Sequence, residues 1–290
     1  LDRIRETVRL AEGLSESGDI SPDARQRALD CLSRFGERLR DMKAGSVRAA
    51  GTSTIRRARE DSTFMVEAET ALGHPIEIIS GIEEARLIYS GVAHSLPPTD
   101  GFRLVMDIGG GSTELILGQA AQPKALESLH LGCVSMTERF FPNGEITRAG
   151  FNKARMAAQL ELRPVKAFFR DASDVEAIGT SGTIRSTEAV ARELGISESG
   201  LTLDAVEQLI DKVLEVQSVS ELSLQGLSDR RAQVWPGGLS ILAELIRVLN
   251  IDDLQVSDGA LREGLLYDLL GRLQHEDARE RTVRAMASRY

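Results

Sequence analysis

Residues 103–118, RLVMDIGGGSTELILG, set two apolar runs on either side of three consecutive glycines. Runs of this kind joined by a short glycine turn pair as antiparallel strands. Further along, VEAI at 175–178 enters a second turn, GTSG, and continues into IRSTEAVARELG, whose apolar spacing is helical. A chain that combines strand–turn–strand with strand–turn–helix units is expected to be α/β.

Further strands are expected at SVRAA (46–50), IEIIS (76–80), LESLHLG (126–132) and 254–257. Helical spacing covers 23–42, 61–72, about 82–92, 147–169, 202–216, 238–249 and 260–273, with Ser21 and Pro22 suited to the first helix start. The charged tail EDARERTVRAMASRY (276–290) also reads as helical. HSLPPTDG (94–101) has the Pro, Gly and polar content of a hinge, which divides the chain into a first lobe over 1–93 and a second over 94–290.

At 290 residues with 42% hydrophobic content, the chain can bury a substantial core in two lobes. No apolar run approaches the roughly 20 residues that span a bilayer, and the opening LDRIRETVRLAEGL has no uninterrupted hydrophobic stretch, so a cytoplasmic protein without a membrane partner is expected. Cys31 and Cys133 stand far apart without CxxC or CxxH spacing, which suggests buried thiols rather than zinc or a disulfide. The net charge of -9 argues against broad nucleic-acid binding. A polyanionic substrate would need basic groups concentrated at its site.

The glycine turns carry the candidate chemistry. Gly109, Gly110 and Gly111 let the backbone approach oxygens closely, and their amides with the Ser112 and Thr113 hydroxyls are candidates for phosphate oxygens. A plain strand–turn–strand connection explains the same glycines without a ligand. Asp107 and Glu114 flank the turn, and one or two carboxylates plus substrate phosphate suffice for Mg²⁺, or for Mn²⁺ in its place. Gly179, Thr180, Ser181 and Gly182 form the second turn, at a helix start whose amides suit an anion. A turn of similar chemistry, AAGTSTIRRA, brings Gly51, Thr52, Ser53 and Arg56 as a first-lobe counterpart, expected to face the second-lobe turns across a cleft. Arg56, Arg57 and Arg59 supply local positive charge, with Arg56 nearest the turn.

Water activation needs a base. ISGIEEARLIYSGV (79–92) puts Glu83 and Glu84 at a helix start, and the residues alone do not say which one faces the site. No GxxxxGK[ST] loop is present, and His74, His94, His130 and His275 form no HxxxH or HD cluster.

Taken together, GTSTIRRA (51–58), IEIISGIEEARLIYSGV (76–92), VMDIGGGSTELILG (105–118), LGCVSMTERFF (131–141), IGTSGTIRSTEA (178–189) and SDGALREGLLYDLLGR (257–272) resemble the exopolyphosphatase and guanosine pentaphosphate phosphohydrolase family, within the sugar kinase, heat-shock ATPase and actin superfold. The resemblance covers essentially the whole chain. It implies two actin-like α/β lobes around a central cleft, and selects Glu84 as the water-activating base, Asp107 and Glu114 as acids around a divalent metal, and Arg56 with the glycine turns as phosphate groups. The implied reaction is hydrolytic removal of the terminal phosphate of inorganic polyphosphate or, alternatively, of the 5'-terminal phosphate of guanosine pentaphosphate, with a homodimer as the implied assembly. Family members normally begin with a strand and a DxGSNS-like phosphate turn, and longer ones continue with helices after the segment matching SRY. The chain as given has neither, so it is expected to be a processed product, a fragment, or a polymer whose initial residues are omitted, and whether loss of that turn abolishes its own activity stays open. Two other readings remain: a kinase of the same superfold, and a noncatalytic module that binds polyphosphate or a related phosphate ligand.

Overall fold

A computed structural model of the chain describes residues 4–6, 8, 10–15, 17–58, 62–170 and 175–273. Arg59, His275 and the tail read as helical over 276–290 lie outside the described residues. The chain forms two compact units, one of Leu1–Ser80 with Leu265–Tyr290 and one of Gly81–Gly264.

The smaller unit begins with α1 (Pro22–Leu39), where the Ser21 hydroxyl accepts from the Ala24 amide and Pro22 occupies the first turn. Its apolar stripe packs Ala28 against Phe64 and Ala68 of α3 (Ser62–Leu72). Between them β1 (Ala49–Gly51) leads into α2 (Ser53–Arg57), and β1 pairs in parallel with β2 (Ile76–Ile78).

The larger unit opens with α4 (Gly81–Ser95) and a meander of β3 (Phe102–Ile108), β4 (Thr113–Gln119) and β5 (Gln122–Leu129). Helices α5 (Cys133–Phe140), α6 (Arg148–Leu162) and α7 (Lys166–Arg170) precede β6 (Glu176–Thr180) and α8 (Ser181–Glu193). Then come α9 (Leu203–Leu214), α10 (Asp229–Ala232), α11 (Trp235–Leu249) and β7 (Leu254–Val256). Helix α12 (Leu261–Leu273) starts in the larger unit and continues into the smaller.

The sheet runs β5-β4-β3-β6-β7, antiparallel through the meander and parallel from β3 to β6 and β7. Alternation along β3 sends Leu104, Met106 and Ile108 into a large core with α11, and Val105 to the opposite face. There Val105, Ile116 and Ile178 are covered by Ala85, Ile88, Tyr89 and Val92 of α4. Both faces of the sheet are thus buried, as expected where helices flank parallel strands. Helix α11 is apolar nearly all round, and its buried carboxylate Glu244 is bonded to Arg155 at 2.8 Å.

Several boundaries differ from the sequence reading for identifiable reasons. The helix expected over 147–169 breaks between α6 and α7, where Pro164 has no amide to donate and disfavours helix in the residue before it. Helix α11 starts at Trp235 rather than 238, with Pro236 in its first turn and the indole donating to Thr187 at 3.0 Å. Helix α4 falls within Gly81–Gly264, rather than with the segment before residue 93, because its apolar stripe is spent on the sheet. Among the described residues, no helix is long and apolar enough to cross a membrane.

Candidate active site

Strand alternation also places the polar residues. Asp107 lies on the face of Val105, Glu114 on that of Ile116 and Thr180 on that of Ile178, and this is the face α4 covers. The register sets Asp107 opposite Glu114 on one side and opposite Thr180 on the other. Helix α4 brings two glutamates in its first turn. Glu83 forms a two-pronged ion pair with Arg86, at 2.8 and 2.9 Å. Glu84 is buried, and its charge raises the pKa of both Asp107 and Glu114. Burial and charge therefore distinguish the adjacent acids, and Glu84 is the one whose charge acts on the carboxylate pair.

Burial, followed by the Glu84 charge, pushes Asp107 up to about 7, against the pull of Arg185 and Arg231. The same two causes, with Asp107 added, push Glu114 up to about 8, although the Ser112 and Ser128 hydroxyls work in the other direction. The Ser128 hydroxyl donates to Glu114 Oε1 at 2.9 Å. Three acids gathered in one partly desolvated place are an excess of negative charge.

The first glycine turn is fixed from behind. The Gly109 amide bonds Ser112 O, Gly109 O accepts from Cys133, and Gly110 O accepts from Val134 and Ser135 at the start of α5. A Cβ at Gly132 would lie 2.1 Å from Gly110 O, so only glycine permits this approach. With the Gly109 and Gly110 carbonyls spent on α5, the amides of Gly110, Gly111 and Ser112 have no acceptor among the described residues. These are the groups an anion would meet. The buried Thr113 hydroxyl donates to Leu131 O at 2.6 Å, so its proton holds the turn together.

The second turn joins β6 to α8. Ser181 has a φ of 92°, a conformation that costs a residue with a side chain on the order of 1 kcal/mol or more. Gly182 presents bare backbone to Arg231 on α10, and a Cβ there would lie 2.0 Å from Arg231 Nη2. Burial lowers the pKa of Arg231, as do the like charges of Arg230 and Arg185, while Asp107 and Cys133 raise it. Arg231 makes no ion pair among the described residues, whereas Arg185 is bonded to Asp258 at 3.1 Å. The sequence reading missed Arg231 because it sought basic groups beside the glycine turns in the chain. Its signal was the Arg230–Arg231 pair just ahead of the Trp-Pro-Gly-Gly helix start.

Gly51, Thr52, Ser53 and Arg56 belong to the smaller unit. Thr52 caps α2 without a side-chain bond, and Arg56 Nη1 donates to Ile79 O at 2.9 Å. Arg57 is exposed. Cys31 and Cys133 are buried free thiols, as the sequence suggests.

The model of the Ppx/GppA phosphatase family matches residues 1–273. A guanosine-5'-triphosphate,3'-diphosphate pyrophosphatase of Vibrio cholerae is 43% identical over 288 residues, 99% of this chain and 58% of that protein. Among solved structures, the Aquifex aeolicus PPX-GPPA enzyme is similar at a TM-score of 0.73 and 29% identity, over 90% of this chain and 88% of that one. An exopolyphosphatase from Cytophaga hutchinsonii, with a TM-score of 0.78 and 24% identity over 91% and 87% of the two chains, shares the fold. The expected α/β, actin-like fold class is borne out by these likenesses. The chain spans 58% of the length of the curated relatives it matches.

Proposed function

Because the chain belongs to the Ppx/GppA phosphatase family, we propose that it hydrolyses the terminal phosphoric anhydride of a polyphosphate-type substrate, with Glu84 as the base. The observation that carries this reading is the burial of Glu84 beside Asp107 and Glu114, next to turn amides without acceptors. Glu84 accepts a proton from water as the water oxygen bonds to the terminal phosphorus. The bond from that phosphorus to its bridging oxygen breaks, and the shortened chain departs with that oxygen. The amides of Gly110, Gly111 and Ser112 and the Arg231 guanidinium take up charge on the phosphoryl oxygens.

The donor set fits a hard divalent cation. Asp107 and Glu114 are oxygen donors across one turn, both raised in pKa by burial and neighbouring negative charge that a cation would relieve. Among the described residues no group of three or more His, Cys, Asp or Glu forms a metal cage. That suits Mg²⁺, which keeps waters and takes substrate phosphate oxygens alongside one or two carboxylates. When bound, it would neutralise phosphate charge; Mn²⁺ is the alternative.

Inorganic polyphosphate is the first substrate, since the described groups address a terminal phosphate and its anhydride. Guanosine pentaphosphate is the second, supported by the likeness to the guanosine-5'-triphosphate,3'-diphosphate pyrophosphatase of Vibrio cholerae. The test is free phosphate release from each in Mg²⁺, with a chelator control. Release from both, abolished by the chelator, is expected. Transfer of phosphate to an organic acceptor would point to a kinase, and binding without release to a noncatalytic module.

The carboxylate pair also makes a stability prediction. A carboxyl whose folded pKa lies above its unfolded value near 4 holds its proton more tightly when folded. Its stability contribution is full below about pH 4 and is lost as pH rises towards about 7 for Asp107 and about 8 for Glu114. Without divalent cation, the thermal midpoint is therefore expected to be lower at pH 8 than at pH 6 through this pair. Added Mg²⁺ should raise it more at pH 8. Equal Mg²⁺ shifts at both pH values in thermal scans would remove Asp107 and Glu114 as the ligands.

A further inference from the structure

We propose that the segment Ser257–Gly264 is a positioning tie that fixes helix α4, and with it Glu84, against the second glycine turn. The inference rests on the hydrolase reading above and adds residues that touch neither water nor phosphate in it.

One end of the tie holds the turn. The Ser257 amide donates to Gly179 O at 2.9 Å, and the buried Thr180 hydroxyl donates to Gly259 O at 2.9 Å. Arg185 on α8 reaches Asp258 at 3.1 Å. The Thr180 proton is thus spent on the tie, in a residue that shares its sheet face with Asp107.

The other end holds α4 by backbone contact. A Cβ at Gly259 would lie 2.3 Å from Ser95 Oγ and 2.6 Å from Gly91 O. One at Gly91 would lie 2.1 Å from Ala260 O, and one at Gly264 would lie 1.8 Å from Leu87 O. Three glycines therefore let two stretches of main chain touch where any side chain would separate them. Glycine inside a helix is disfavoured relative to alanine, so Gly91 needs a reason of this kind. Leu87 is three residues from Glu84 and Gly91 seven, on the same helix. Carbonyl oxygens of α4 are consequently one hydrogen bond and a few backbone contacts away from Thr180. Small errors in this path matter, because displacement of about 1 Å from a reactive geometry costs on the order of 100-fold in rate.

The test compares Thr180→Val, Thr180→Ser and Gly91→Ala in the full chain with Mg²⁺ and inorganic polyphosphate. Thr180→Val is expected to lower kcat by roughly 10- to 100-fold while KM stays within about twofold, and Thr180→Ser to restore kcat to within about threefold. Gly91→Ala, which leaves the turn untouched, should lower kcat in the same way. A rise in KM matching the loss in Thr180→Val, no restoration by serine, or unchanged kcat in either valine or alanine variant would overturn the tie. Hydrogen exchange serves if the parent chain releases no phosphate, an outcome that would count against the hydrolase reading instead. In Thr180→Val, amides of α4 should exchange faster while those of α9 do not. Unchanged or uniformly faster exchange would again overturn the proposal.

Discussion

Glu84→Gln is expected to lower phosphate release by about 10²- to 10⁴-fold, the range for removing a positioned general base. Glutamine preserves size and hydrogen-bonding reach at this buried position but cannot take the proton from water. It also removes the charge that raises Asp107 and Glu114, so the folded chain should lose no stability. Substrate binding should persist, and the loss should fall on kcat. Glu83→Gln is the control, because that carboxylate is spent on Arg86 and should leave turnover within about threefold. Steady-state kinetics of both variants, with thermal midpoints alongside, decide the matter. Equal losses in the two variants, or full activity in Glu84→Gln, would remove Glu84 as the base.

Much of this site is legible in the sequence because it is local. Asp107 and Glu114 are separated only by the glycine turn between two paired strands, so chain order and strand alternation place them across from each other. The turn at 179–182 is legible for the same reason, since a strand and a helix flank it directly. What sequence leaves open is settled by packing between distant segments. The direction of Glu84 depends on which stripe of α4 meets Val105, Ile116 and Ile178. The hydroxyls of Thr113 and Thr180 look in sequence like two more phosphate donors, but each donates to a carbonyl supplied from elsewhere, Leu131 and Gly259. Helix α5 is short and weakly marked, yet its first amides set the glycine turn.

Arg231 is the sharpest case, and carries the second large effect. Arg231→Ala is expected to reduce kcat/KM by about 10²- to 10³-fold, the scale for losing one preorganised donor to a developing oxyanion. A half-buried guanidinium with like-charged neighbours and no ion pair among the described residues gains little from the folded protein beyond the attraction of Asp107 and Cys133. Under the proposed function, its charge would acquire a partner when phosphate oxygens arrive beside Gly182 and the first turn. The thermal midpoint of Arg231→Ala without substrate should therefore hold or rise while turnover falls. Arg231→Lys should recover only part of the rate, since an ammonium cannot reproduce a planar two-pronged contact. If the midpoint fell and turnover per folded molecule did not, Arg231 would be a prop for the Gly182 backbone. Opposite movement of stability and rate is what a cation held for its substrate requires, because the structure bears the cost of partly desolvating it and bound phosphate would offset that cost more fully than Asp107 and Cys133 do.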